Sequence, residues 1–254
     1  MMRFRLAGLI TLVIASVLVC MPATADDAKG TVLVAGATGS IGRIAIRLLK
    51  DEGFTVRGMT RNPEQAAEQY GAGYDWVRAD VRDPAELAPV MEGVDWVICS
   101  IGYTEFEGPN SAQFVDYMGV RNLVEAAVEQ NVKHFVLVSA SSAGPYRDHT
   151  QNPRFGYVAY WKTKGEQILK DSGLSFTIVG PGGYLDEPGN VKGVRIFPRS
   201  DFSMGYISRE DVAAIVVASL LDPAARGKSF AAQYDESTQP GAWRDSFEAL
   251  QPEL

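Results

Sequence analysis

The chain has 254 residues, of which 46% are apolar and 22% charged, and a formal net charge of −7. That length and balance fit one globular α/β domain with a sizeable core. The negative charge argues against a nucleic-acid surface, which would be basic, and no internal repeat or low-complexity tract is present.

The first segment stands apart. Arg3 and Arg5 precede an apolar run from Leu6 to Cys20, which leads through Met21-Pro22 into Ala23-Thr24-Ala25 and Asp26-Asp27. A basic start, a short apolar middle and a small-x-small end form a secretory signal. Cleavage is expected near Ala25, giving a periplasmic or secreted product. The run is short for a membrane span. A retained membrane anchor and an organellar address are the alternatives, and an anchor would bring membrane association. Cys20 would leave with the signal, so Cys99, in an apolar strand, is expected as a lone buried thiol. His134 and His149 are too isolated to form a metal site.

After this segment the chain reads as a single domain over 28–235, with a substrate-covering region from about residue 180 and a tail over 236–254. The domain opens on Thr31-Val32-Leu33-Val34-Ala35, an apolar run that predicts a buried parallel strand. It passes directly into Gly36-Ala37-Thr38-Gly39-Ser40-Ile41-Gly42 and then an amphipathic helix from Arg43 to Leu49. In a strand–loop–helix of this kind Gly36 permits a sharp turn, Gly39 lets backbone N–H groups approach a pyrophosphate, and Gly42 lets the helix pack closely. The helix N-terminus supplies unpaired donors and a partial positive charge. Thr38, Ser40 and Ile41 belong to the same expected cradle. The spacing is G-x-x-G-x-x-G, where ordinary dehydrogenases have G-x-G-x-x-G.

Further strands are predicted at Phe54–Met59, Trp76–Asp80, Val94–Cys99, His134–Ser139 and Ser175–Val179. Helices are expected from Asp83-Pro84, with an Asp cap and Pro at the first position, over Phe114–Gln130, and within Tyr157–Ser172. Alternating strands and helices imply right-handed crossovers and a Rossmann-like, doubly wound parallel sheet. Ligands of such a sheet bind at the strand C-terminal edges, which adds Ser100, Ile101 and Gly102 to the expected cofactor site. Beyond Val179 the alternation loosens. Short strands are expected near Val194-Arg195-Ile196, and Ser208-Arg209-Glu210-Asp211 caps a helix running to Leu221.

The second strand ends in Gly58-Met59-Thr60-Arg61-Asn62, without the acid that would take ribose hydroxyls in an NAD site. Arg61 can hold a 2′-phosphate through its planar fork, so NADP is favoured over NAD. Asp80-Val81 follows the third strand, where the Asp would accept from the adenine amino group.

These segments together resemble the atypical short-chain dehydrogenase/reductases of the NAD(P)H-binding type, over nearly all of the chain that follows the signal. The matching stretches are Val34–Gly39, Arg61-Asn62-Pro63, Ala79-Asp80-Val81, Val115–Val120, Phe135–Ser139, Trp161–Glu166, Ser172–Val179 and Ile207–Ala213. Trp161-Lys162-Thr163-Lys164-Gly165-Glu166, with Ser-Gly-Leu and Thr-Ile-Val, is most similar to the plant and cyanobacterial branch that includes the Tic62-like proteins. The resemblance implies a Rossmann-like fold and bound NADP(H). It also implies a Tyr-x-x-x-Lys pair, with the Lys on the nicotinamide ribose and the Tyr moving a proton, and a Ser orienting the substrate.

Two registers compete for that pair. The resemblance implies a Glu four residues after the Lys; Glu166 lies four after Lys162, which puts Lys162 in the Lys position and Val158, which carries no proton, in the Tyr position. Tyr160 and Lys164 have the Tyr-x-x-x-Lys spacing, but are offset by two residues, or about 200° of helix. Ser141 is the expected orienting serine. Relatives often read Thr-Ile-Val-Arg-Pro-Gly where this chain has Thr177-Ile178-Val179-Gly180-Pro181-Gly182, so a cation near the cleft is expected to be missing, while Gly182 gives backbone access at the nicotinamide end. The expected function is NADP(H)-dependent oxidoreduction of an unidentified small carbonyl or quinone-type substrate, by a monomer or homodimer. The alternatives are an epimerase-like enzyme and a non-catalytic NADP(H)-binding scaffold or redox sensor.

Overall fold

The structure is a computed structural model that describes residues 29–146 and 157–252; the signal segment and His149 lie outside the described residues. In chain order the elements are β1 (Thr31–Ala35), α1 (Gly42–Asp51), β2 (Thr55–Thr60), α2 (Pro63–Tyr70), β3 (Asp75–Arg78), α3 (Pro84–Met91) and β4 (Trp96–Cys99). A π-helical stretch (Gln113–Gly119) runs into α4 (Val120–Glu129), followed by β5 (His134–Val138), α5 (Val158–Asp171), β6 (Phe176–Pro181) and β7 (Gly183–Leu185). β8 (Val194–Pro198), β9 (Tyr206–Ser208), α6 (Arg209–Leu221) and β10 (Lys228–Tyr234) complete the fold.

The main sheet has eight strands in the order β3-β2-β1-β4-β5-β6-β10-β8. Seven of them are parallel, and β8 pairs antiparallel with β10. The chain steps outward from β1 to β3, then returns to lay β4 against the other side of β1. The strand order therefore reverses between β1 and β4, and loops leaving these two strands diverge to opposite faces. That divergence opens the crevice in which a doubly wound sheet binds its ligands.

Each face of the sheet is covered. α1 and α6 bury Ile46, Leu49, Ile215 and Val216 against Val34, Val136 and Phe230. On the other face α3, α4 and α5 bury Leu87, Leu123 and Leu169 against Leu33, Val97 and Phe135. Strands enclosed on both sides read as unbroken apolar runs, which is why they were legible in sequence.

Several parts of the fold depart from the sequence reading, among them the β7–β9 ribbon. α2 was not expected: its side chains are mostly polar, but Asn62 caps it by accepting from the Gln65 N–H, and Pro63 opens it. β10 was not expected either, and it carries the sheet beyond β6; the region after residue 180 thus adds strands as well as cover. The segment expected as a tail is docked on the core. Trp243, Phe247 and Leu250 are buried there, and the Lys228 ammonium donates to the Phe247 carbonyl.

His134, the first residue of β5, is fully buried between two hydroxyls, with Nδ1 2.8 Å from Ser175 Oγ and Nε2 3.1 Å from Thr177 Oγ1. Thr177 Oγ1 already donates to the Ala225 carbonyl, so it must accept from Nε2–H, and Nδ1 accepts from Ser175. The ring is neutral in this arrangement. Burial, reinforced by the Arg226 cation, pushes its pKa down to about 4. The unfolded chain takes up this proton below about pH 6.5 and the folded chain does not, so stability is full above that pH and falls as the pH drops toward 4. The expected loss is on the order of 3 kcal/mol. Urea midpoints across this window should slope in the native protein and flatten in His134→Gln.

Candidate active site at the strand edges

The glycine loop lies at the C-terminal edge of β1. Gly36 has a φ of +82°, which favours glycine, and a Cβ on Gly42 would overlap the Gly36 carbonyl. The Gly39 N–H closes the turn on Gly36 O at 2.9 Å. α2, α3 and α6 are capped by the side chains of Asn62, Asp83 and Ser208. α1 starts from Ile41 with no side-chain cap and no acid in its first turn. Its end therefore keeps the positive partial charge that a dinucleotide pyrophosphate requires, while the Arg43 and Ile44 N–H groups bond back to the Gly39 and Ile41 carbonyls. Thr38 and Ser40 are exposed around this end. The residues present fit the group.

The segment after β4 connects this loop to the second half of the crevice. The Ser100 N–H and hydroxyl both donate to the Ala35 carbonyl, and the Ser100 carbonyl lies so near Gly36 that a side chain there would meet it at 2.8 Å. Ile101 lines a small cleft with Lys162, Asp116 and Ser139. At Gly102 a side chain would approach Asp116 Oδ1, and the Tyr103 N–H donates to Asp116 Oδ2 at 2.9 Å. Residues 100–103 thus form a floor from the glycine loop to Asp116.

Asp116 sits in the π-helical stretch before α4. Its carboxylate is 1% exposed and 2.6 Å from the Lys162 ammonium on α5, itself 15% exposed. Burial disfavours the charged lysine, but Asp116 more than offsets that and holds the ammonium above its ordinary pKa. The close approach depends on Gly165, one turn along α5 from Lys162, where a Cβ would lie 2.5 Å from the Asp116 carbonyl. The wide π turn also fits its usual placement at functional sites. Sequence reasoning included Asp116 in a matching stretch but gave it no role.

Tyr160 and Lys164 occupy another part of α5. Tyr160 packs edge-on to Trp161, with ring centroids 4.9 Å apart, and the Lys164 ammonium lies 5.5 Å from the Tyr160 ring. Ser139 lines the Lys162 cleft, while the Ser141 N–H donates to the Pro181 carbonyl and ties β5 to β6. Gly182 is required by a backbone approach, since a Cβ there would lie 2.5 Å from the Gly205 carbonyl.

The missing cation next to Gly180 is a correction. Arg199, from the turn after β8, reaches into that space, and a Cβ on Gly180 would lie 3.0 Å from its Nε. Arg199 Nη2 donates to Glu166 Oε1 at 2.8 Å and to the Ala140 carbonyl at 2.7 Å, and Nη1 donates to Ser229 Oγ at 3.0 Å. The Ser139 hydroxyl donates to the same Glu166 oxygen. Both ionic side chains are fully enclosed. A residue 19 positions from Gly180 gave no sequence signal for this.

At the far end of the crevice Arg61 is exposed and 3.5 Å from Asn110 Oδ1, an atom to which Arg82 also donates at 3.0 Å. The Asp80 carboxylate is engaged by Arg82, with Nε–Oδ1 at 2.9 Å, and this hydrogen bond holds it below the usual carboxylate range. Val81 is buried, with its carbonyl accepting from Asn122. Cys99 is a buried thiol pushed up to about 12 by its surroundings, chiefly burial. That rules out a thiolate nucleophile at neutral pH. Among the described residues no His/Cys/Asp/Glu cluster could hold a metal ion.

This strand order and glycine loop define a Rossmann-like dinucleotide-binding protein. The NAD(P)H-binding family profile matches residues 36–223, and the chain belongs to that family. It is 34% identical over 201 residues to the Bacillus subtilis (strain 168) protein named uncharacterized sugar epimerase YhfK, covering 78% of this chain and 92% of that one. It is 33% identical over 248 residues to sanguinarine reductase of Eschscholzia californica, covering 81% and 90%. The Tic62-like branch is represented by the pea protein TIC 62, chloroplastic, at 33% identity over 175 residues, 60% of this chain and 32% of its own. Among solved structures, a Bacillus halodurans protein provisionally named an NAD-dependent epimerase/dehydratase superposes with a TM-score of 0.76 at 26% identity, covering 87% of this chain and all of that one.

Removing one member of a fully buried ion pair strands the other charge. Arg199→Met is expected to cost about 3–5 kcal/mol, read from the shift in urea midpoint. Arg199→Met with Glu166→Met should recover most of that loss.

Proposed function

We propose that this protein is an NADP(H)-dependent oxidoreductase acting on a small carbonyl or quinone-type substrate. The observation that carries this reading is the Lys162–Asp116 pair. It is a nearly dry ammonium held charged at the strand edges, on the same crevice floor as the glycine loop. A buried charged lysine is costly unless it is paired, and at this position it would grip the nicotinamide ribose hydroxyls.

The other roles follow from position. The Gly36–Gly42 loop and the start of α1 would hold the pyrophosphate, with Ser100, Ile101 and Gly102 along its floor. Arg61 would take the 2′-phosphate, in line with a second strand that ends without an acid. Arg82, beside it, keeps the Asp80 carboxylate from repelling that phosphate. When bound, the nicotinamide supplies or accepts a hydride equivalent. Ser141 would orient the substrate oxygen, and the Glu166–Arg199 network, to which the Ser139 hydroxyl donates, keeps the end of β5 against α5. The sanguinarine reductase relative supports reductive chemistry.

The epimerase reading, supported by the name of the Bacillus subtilis relative, would use the same cofactor transiently and leave no net oxidised or reduced dinucleotide. The basic-apolar-small pattern of residues 3–25 supports export with cleavage near Ala25.

Two measurements test these assignments. NADPH should raise the melting temperature more than NADH, and Arg61→Ala should weaken NADPH binding about tenfold, equivalent to about 1.4 kcal/mol, while NADH binding stays unchanged. No shift with any dinucleotide would sink the cofactor assignment. N-terminal sequencing of the fractionated protein should find a chain starting at Asp26; an intact Met1 in the cytosol would refute export.

A further inference from the structure

The loop that leaves β4 ties the two ends of the crevice together. At Tyr103 it is bonded to Asp116, beside Lys162. At Asn110 it meets Arg61 and Arg82, which follow β2 and β3. Between these points it closes on itself, because the Thr104 and Glu105 N–H groups both donate to the Asn110 carbonyl, at 3.1 and 3.4 Å. The Asn110 side chain is fixed as well. Its Oδ1 accepts from Arg82 Nη1 at 3.0 Å and from Arg61 Nη1 at 3.5 Å, while its Nδ2 donates to Glu105 Oε1 at 3.1 Å. A guanidinium only donates and a carboxylate only accepts, so this orientation of the amide is the one that satisfies all three partners. Arg82 spends Nε and Nη2 on the Asp80 carboxylate. Its Nη1 is left for the Pro109 carbonyl, at 3.2 Å, and for Asn110. Among the described residues Asn110 Oδ1 is the one hydrogen-bond acceptor that Arg61 has. Two guanidinium groups thus converge on a single neutral oxygen, where an anionic oxygen would bind about twice as strongly.

We propose that Asn110 is the cofactor-selecting residue of this protein. Its Oδ1 holds the place of a 2′-phosphate oxygen, and Arg82 joins Arg61 as a second cation of that subsite. The proposal rests on the NADP(H) reading. A 2′-phosphate carries close to two negative charges at neutral pH, so it displaces a neutral amide oxygen from the two guanidinium groups. A 2′-hydroxyl has no such charge and leaves the amide in place. Arg82 can serve both partners at once, because its Asp80 edge and its Nη1 edge are different faces of one planar fork. Asn110 is therefore a competitor that only a phosphorylated ribose removes, and its displacement frees the loop from this end of the crevice.

The test is binding, with no turnover required. The protein is titrated with adenosine 2′,5′-bisphosphate and adenosine 5′-monophosphate, which differ only in the 2′-phosphate, and with NADPH and NADH. In each pair the native protein should prefer the member that carries the 2′-phosphate. Asn110→Ala removes the competing oxygen and should raise that preference about threefold. Asn110→Asp sets a carboxylate against both guanidinium groups and should lower it about tenfold or more. Arg82→Met with Asp80→Asn, which leaves no carboxylate unpaired, should also lower it about tenfold. A loop that had merely lost its shape would weaken both members of a pair alike and leave the preference where it was. Opposite shifts in the two Asn110 variants bear the proposal out; shifts in the same direction, or none, overturn it. A native preference that falls in Arg61→Ala but survives the Asn110 and Arg82 changes refutes the selecting role and leaves the NADP(H) reading standing. A native protein that binds both members of each pair equally refutes the two together.

Discussion

The Lys162 ammonium lies in a place that water scarcely reaches, and a charge so placed has to be matched. Asp116 matches it, and much of the local architecture follows from bringing the two together. α5 must approach the segment before α4 closely enough that Gly165 is needed. That segment widens into a π turn, and the Tyr103 N–H satisfies the second carboxylate oxygen. The same Tyr103 belongs to the loop that leaves β4 beside the glycine turn. The ion pair therefore joins the two halves of the crevice as well as neutralising a charge.

A second buried pair, Arg199 with Glu166, does comparable work one turn along α5. It fastens α5 to the end of β5, to β10 and to the turn after β8. Buried ion pairs contribute little net stability against apolar replacements, although breaking one is costly. Their value here is geometric. Lys162 and Glu166 share a helix face, so the two pairs fix both the height and the rotation of the helix that carries the site.

The parts of the fold legible in sequence were those governed by local pattern. Buried parallel strands read as apolar runs, Asp83-Pro84 and Ser208 marked helix starts, and the strand–glycine–helix order marked the crevice. α2 was missed because its core face is nearly limited to Ala66. β10 was missed because Lys228-Ser229 opens it with polar residues that the fold buries. The docked C-terminal segment was missed because Trp243, Phe247 and Leu250 are spread among polar neighbours with no regular period, only Trp243 lying in a short 3-10 turn. Within the site, the glycine loop and Arg61 could be singled out by their places after β1 and β2, and Lys162 by the family resemblance, whereas Asp116 and Arg199 could not. Each of those two meets its partner from tens of residues away along the chain.

By itself the sequence determined the class of protein: a parallel α/β sheet, a glycine turn at its first strand and a helix end left free for an anion. Periodicity, capping and glycine placement are short-range properties, and they are written in contiguous residues. Only the tertiary structure decided which charges meet. It set Asp116 against Lys162, carried Arg199 into the space left by Gly180, and packed Tyr160 against Trp161. The reason is physical: a buried charge is satisfied by whichever group the topology brings within about 3 Å, and that distance bears no relation to separation along the chain.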